Sequence, residues 1–197
     1  MLGPMRPAPA IVILAAGASS RMGGADKLTR PVDGVPLLRR AAVAACAAAA
    51  EVVVVLPEGD AARAACLDAL PARVARVGPR AMSASIRAGV AAVTAEAAML
   101  HLADMPEIGL PEMRAVALAW RRGRAPVLRA TTVAGAAGQP VVFARALFPA
   151  LAALEGDRGA RAVAGAHPAE AVALPGAAAV TDLDTPEAWA AWEARRG

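Results

Sequence analysis

Residues 11–28 read IVILAAGASSRMGGADKL, an apolar run that passes directly into a glycine- and serine-rich turn closed by Arg21 and Lys27. No other segment constrains the fold as much. Ile11, Val12, Ile13 and Leu14 leave no polar face, so a strand built from them must be covered on both sides, as the central strands of parallel sheets are. The small residues Ala15, Ala16, Gly17, Ala18, Ser19 and Ser20 let the backbone turn tightly and face its N–H groups toward a ligand. Arg21 adds a planar fork and Lys27 a point charge, two cations suited to a highly charged anion such as a triphosphate. The pattern is neither GxGxxG nor GxxxxGK[ST], so neither the dinucleotide fingerprint nor the Walker loop accounts for it.

Behind this segment, apolar strand-like runs alternate with alanine-rich helical runs, which predicts an α/β fold: a single Rossmann-like domain with a mostly parallel central sheet flanked by helices. Strands are expected at 10–15, 51–56 (EVVVVL, the clearest), 73–77 and 98–102. Helices are expected at 36–49, 60–69, 82–95 and 111–122, the last stopped by Gly123. The second half is less regular. Strands at 126–130 and 140–144 are expected around a flexible loop at 131–139, then helices at 145–153 and 158–165, a strand at 170–174 and a terminal helix at 186–195. With no internal repeat, charge block or long linker, residues 1–197 read as one domain. About 10–105 would make the nucleotide half and 106–197 the acceptor half.

Composition narrows the function classes. The 57% hydrophobic content is largely alanine, which reports helix and not membrane. No apolar stretch reaches the ~18–20 residues a membrane span requires, and the N-terminal apolar segment flows into the glycine turn instead of a cleavage site, so a cytoplasmic protein is expected. Cys46 and Cys66 lie in alanine-rich stretches with no CxxC or neighbouring His, and read as buried small hydrophobes. A net charge of +4 suits a small anionic substrate, whereas 3% aromatic residues leave few stacking platforms for nucleic acid. Trp189 and Trp192 read as core.

Two acidic clusters complete the pattern. In HLADMPE (101–107) Asp104 follows an apolar strand that Pro106 ends, at the strand edge that also carries the 15–24 turn. A carboxylate beside phosphates makes sense chiefly when a divalent cation bridges them; the alternative is that Asp104 caps a turn. In TDLDTPE (181–187), Asp182 and Asp184 are two apart on an extended segment and share a side. Thr185 or Asp184 can cap the following helix with Pro186 at its first position, which leaves an acid over for a metal. His101 and His167 have no evident nucleophile or metal partner.

The ordered set LAAGASSRMGGADK, ADMP, GQPVVF, GDRGAR and DLDTPE spans nearly the whole chain and resembles the nucleotidyltransferases related to the molybdenum cofactor guanylyl- and cytidylyltransferases, the cytidylyltransferase-like members most closely. The resemblance implies Mg²⁺-dependent transfer of a nucleotidyl group from an NTP with release of pyrophosphate. It implies that the backbone of Leu14, Ala15, Ala16 and Gly17 holds the base and that Arg21 and Lys27 hold phosphates. Asp104 matches the metal aspartate and Asp184 the second acid. Ala16 resembles the form associated with CTP rather than GTP. Ser85 falls at the family's serine position near a helix start, with Ala81 where the motif usually carries Gly. Gln139 stands where relatives often carry His, and with Arg158 of GDRGAR it would line the acceptor side; a turn with a capping Asp and solvated arginines is the competing account of that loop.

The resemblance further implies molybdopterin or its molybdenum-loaded form as acceptor, with docking to a molybdoenzyme or its maturation chaperone. Other acceptors in the same chemistry are a sugar phosphate, an alcohol phosphate or phospholactate. An accessory protein that binds nucleotide and delivers cofactor without turnover is the reading from a different class; such a binder has little need for both Asp104 and Asp184 beside a triphosphate.

Overall fold

The computed structural model describes residues 4–17, 26–78 and 81–196. A seven-stranded sheet forms from β1 (Ala10–Leu14), β4 (Val52–Pro57), β5 (Arg73–Val77), β6 (Ala97–Leu102), β7 (Val127–Thr132), β8 (Ala137–Ala144) and β9 (Ala169–Leu174). A short antiparallel pair, β2 (Pro31–Val32) and β3 (Val35–Pro36), lies apart from it. The order across the large sheet is β5-β4-β1-β6-β8-β7-β9. β5, β4, β1 and β6 run parallel, β8 alone pairs antiparallel with both neighbours, and β9 is parallel to β7.

The apolar runs sit in the middle for the reason their sequence gives. Ile11, Ile13, Val52, Val54 and Leu56 face one apolar layer, and Val12, Val53 and Val55 the other, all at 3% exposure or less. Each such side chain contributes about 1.5–3 kcal/mol when fully buried. Helices α1 (Leu37–Ala48), α4 (Leu110–Arg122) and α7 (Pro186–Ala194) supply the first layer, whereas α3 (Met82–Ala91) and α5 (Phe148–Ala152) supply the second. Trp189 and Trp192 belong to the first layer as an edge-to-face pair with ring centres 6.2 Å apart, as their sequence context predicts.

Helix α3 approaches the sheet through Gly89. A Cβ there would stand 2.5 Å from Val12 Cγ1 and 3.2 Å from Val55 Cγ2. Gly89→Ala is therefore expected to destabilise the protein by about 1–3 kcal/mol through overpacking, although alanine is the better helix former by roughly 1 kcal/mol. A lower urea midpoint at unchanged slope would show it; a raised midpoint would mean that helix propensity outweighs the contact.

Several expectations are corrected. Residues 131–139 form no flexible loop: β7 runs on to Thr132 and β8 starts at Ala137, leaving only 133–136 as a tight turn with Gly135 at φ +86°. Thr132 N–H donates to Ala136 O at 2.9 Å, and Gly135 N–H donates to Thr132 O at 2.9 Å. Glycine and alanine carry no strand signature, yet their backbones pair as well as any. The helix expected at 60–69 closes early as α2 (Ala61–Ala65), α3 stops at Ala91, and the helix expected at 158–165 is only α6 (Arg161–Gly165). Alanine runs extend the apparent helical pattern past the point where apolar anchors stop. Residues 145–153 divide into a 3₁₀ turn and α5. Cys66 is buried, but Cys46 is only half-buried on α1. Among the described residues, no helix is long and apolar enough to cross a membrane.

Candidate functional site

The sheet order reverses at β1, which has β4 on one side and β6 on the other, and ligands of open α/β sheets bind where such a reversal opens a crevice at the carboxyl edge. Leu14 and Leu102 are register partners, so the segments after β1 and after β6 leave that edge side by side. Ala103 N–H donates to Leu14 O at 3.3 Å, and Leu183 N–H donates to Asp104 O at 3.1 Å. Three distant pieces of chain, at 14–17, 103–105 and 181–185, are thereby laced together by backbone alone.

Lys27 stands at their meeting point. Its Nζ donates to Asp104 Oδ2 and, at 2.5 Å, to Asp184 Oδ1. Two carboxylates converge on one ammonium, as both would on one metal ion. The Lys27 and Asp104 side chains are 11% and 16% exposed, and Asp184 is more open at 38%. Burial alone would push the Lys27 ammonium down, but Asp104 and Asp184 outweigh it and hold its pKa above the ordinary 10.5. The stability this charged contact contributes is therefore fully present below 10.5 and is lost as pH rises through the elevated value.

Thr185 is the N-cap of α7, its hydroxyl accepting from Ala188 N–H at 3.2 Å with Pro186 at the first position. Asp184 contacts Lys27, Leu183 is fully buried and Asp182 is exposed. Asp104 is not merely a cap: one oxygen contacts Lys27 and the other, Oδ1, is buried with no hydrogen-bond partner. An orphaned buried carboxylate oxygen is costly unless something cationic or protic is to meet it. Among the described residues no cluster of three or more His, Cys, Asp or Glu donors forms. A pair of carboxylates fits Mg²⁺ or Mn²⁺, ions that complete their shells with phosphate oxygens and water.

Arg21 lies outside the described residues. Leu14, Ala15, Ala16 and Gly17 leave the end of β1, with Ala15 N–H held by Val55 O at 3.0 Å. Ser85 is buried in the first turn of α3 and its hydroxyl donates to Ala81 O at 3.4 Å. The GDRGAR loop meets the same helix start, because Ser83 N–H donates to Gly156 O at 3.3 Å; Arg158 is exposed on it. Gln139 follows Gly138 on β8, with its N–H donated to Ala179 O at 2.8 Å and its side-chain Oε1 buried and unpartnered. Gly138 is required there, since a Cβ would fall 1.9 Å from Ala179 O. His101 is wholly buried on β6; desolvation pushes its pKa down to about 4, so it is neutral at physiological pH.

Arg63 is the residue sequence reading missed. Its side chain, 4% exposed, projects from α2 toward the end of β1 and Asp26. Nη1 donates to Ala15 O at 2.7 Å and Gly17 O at 2.8 Å, whereas Nε and Nη2 donate to Asp26 Oδ2 and Oδ1 at 2.7 and 2.8 Å. A lone arginine in an alanine-rich helix looks solvated. The available signal was Asp60 at its N-cap, three residues earlier, together with an acid immediately before Lys27.

Comparison with known proteins adds to this geometry. Residues 11–172 match the family model described as the MobA-like NTP transferase domain. Among curated proteins the sequence has no match. The crystal structure of Rv0371c from Mycobacterium tuberculosis is similar over 95% of this chain and 98% of its own, at 26% identity and a TM-score of 0.83. Rv0371c in complex with manganese aligns over 94% and 97% of the two chains at 25% identity and a TM-score of 0.79. A nucleotidyl transferase from Methanothermobacter shares the fold, with 19% identity, 95% and 97% coverage and a TM-score of 0.75.

Proposed function

The chain belongs to the MobA-like NTP transferase domain family, and from that premise we propose that it moves a CMP or GMP group from an NTP onto a phosphate-bearing acceptor, releasing pyrophosphate. CTP is the favoured donor, on the resemblance of the LAAG turn at 14–17, and molybdopterin is the favoured acceptor, on the resemblance of the whole motif set. The single observation that carries the reading is the meeting of Lys27, Asp104 and Asp184 at the sheet edge where β1 ends.

The residues divide the work by their chemistry. The backbone from Leu14 to Gly17 takes the base, Arg21 and Lys27 the phosphates, and Ser85, near the start of α3, serves the nucleotide with them. Gln139 and Arg158 orient the acceptor, Gln139 as a hydrogen-bonding group that cannot take a proton as His can. Within one domain, 10–105 thus serves the nucleotide and 106–197 the acceptor, with Asp184 returned to the nucleotide side. A phosphate monoester is already a competent nucleophile, so its oxygen can attack the α-phosphorus without a dedicated general base. Lys27 and Arg21 stabilise charge accumulating on the departing pyrophosphate. Asp104 and Asp184 would hold Mg²⁺, which when bound neutralises the phosphates as a Lewis acid. The orphaned Asp104 Oδ1 supports that assignment, and so does the manganese complex of Rv0371c.

The test is a reconstitution with CTP or GTP, Mg²⁺ or Mn²⁺, and molybdopterin, following pyrophosphate. Release should require nucleotide, metal and pterin together. Equal release without the pterin, or none with either nucleotide, would overturn the proposal.

A further inference from the structure

We infer that Arg63 is a positioning residue that ties the end of β1 to Asp26 and so aims Lys27. This rests on the nucleotidyl-transfer reading above, but its geometry stands independently. A guanidinium withdrawn from water is costly unless its N–H groups are matched, and here they are matched to one piece of chain at both its ends. On the entry side Nη1 holds the carbonyls of Ala15 and Gly17. On the exit side the planar fork grips both oxygens of Asp26. Such a bidentate pair fixes direction as well as distance.

The chain beyond Asp26 is fixed in turn. Asp26 Oδ1 also accepts from Leu28 N–H at 3.1 Å, and Asp26 O accepts from Thr29 N–H and Oγ1–H at 3.2 and 3.1 Å. Lys27 is held between these anchors, with its ammonium on Asp104 and Asp184. Arg63 itself is steadied by Asp60, which caps α2 by accepting from Arg63 N–H at 3.0 Å and lies 3.4 Å from Nε. A strand-end carbonyl pair, a buried fork and an acid thus form one brace between the end of β1 and Asp26. Its consequence is preorganisation: phosphates meet a Lys27 whose backbone is already fixed, so less ordering is required on binding.

Arg63→Lys keeps the charge and removes the fork, and Asp26→Asn removes its counterpart. In the ligand-free protein, amide exchange at Leu28 should accelerate at least tenfold in both variants. The dissociation constant for Mn²⁺·CTP or Mn²⁺·GTP, read by calorimetry, should rise at least tenfold in each. The double variant should be no worse than the worse single, since both break one brace. Asp60→Asn, touching only the weaker contact, should stay within twofold. Val116→Ala, a core change on α4, provides a control of comparable thermal destabilisation and should leave nucleotide affinity unchanged. Unaltered Leu28 exchange in Arg63→Lys would overturn the inference, as would an equal loss of affinity in Val116→Ala. A wild type that binds neither nucleotide would sink the functional reading instead, and the exchange result would still decide whether the brace exists.

Discussion

Asp104→Asn is expected to cut pyrophosphate release at least a hundredfold while the protein stays folded. The substitution keeps the size of the side chain and leaves a carbonyl oxygen to face Lys27, so it alters charge and not shape. What disappears is the anionic character of an oxygen pair of which one member is buried without a partner. Removing a group aimed at charge that develops during reaction typically costs about 10²–10³ in turnover. Asp184→Asn should cost less, because its carboxylate is more than twice as exposed as that of Asp104 and water can replace part of its contribution. Initial rates with saturating nucleotide and a titration of Mg²⁺ would separate the two acids. A full-rate Asp104→Asn enzyme would remove this residue from the chemistry altogether.

The parts of this arrangement legible in the sequence are those where chemistry and periodicity agree. IVIL and EVVVVL are apolar on both faces, and both became central strands. The general rule for parallel sheets puts Asp104 and the 15–24 turn at one edge, and the Leu14–Leu102 register brings Asp104 beside 15–17, the part of that turn among the described residues. Two residue types hid the rest. Alanine and glycine in 131–139 carry no strand pattern, although a strand needs only backbone pairing, so the end of β7 and the start of β8 read as loop between two expected strands. Arg63 was hidden by distance: its partners are carbonyls, which no sequence marks, and an acid 37 positions away. The cap of the last helix was open between Thr185 and Asp184 in the sequence; Thr185 takes it, and Asp184 meets Lys27.

The ligand-free protein should bind Mn²⁺ more tightly once Lys27 is replaced by Met, even as turnover falls at least a hundredfold. The two effects have one origin. In the structure the Lys27 ammonium stands against both carboxylates expected to hold the ion, and burial leaves it without a better place to go. The ammonium and a dication then compete for the same pair of acids, and nucleotide phosphates relieve the competition by offering the ammonium an alternative. Metal and nucleotide should accordingly bind the wild type with positive coupling, and Lys27→Met should abolish that coupling by removing the competitor. The variant also takes from Asp104 and Asp184 the counter-charge they share, at a cost on the order of 3 kcal/mol in metal-free buffer, less whatever solvent at Asp184 screens. Mn²⁺ should restore more thermal stability to Lys27→Met than it adds to the wild type, because it fills a gap that the wild type fills itself. Electron paramagnetic resonance of free Mn²⁺ gives the affinities and calorimetric melting gives the rescue. If affinity and turnover fall together, the ammonium does not stand in the ion's place, and its role is confined to the phosphates.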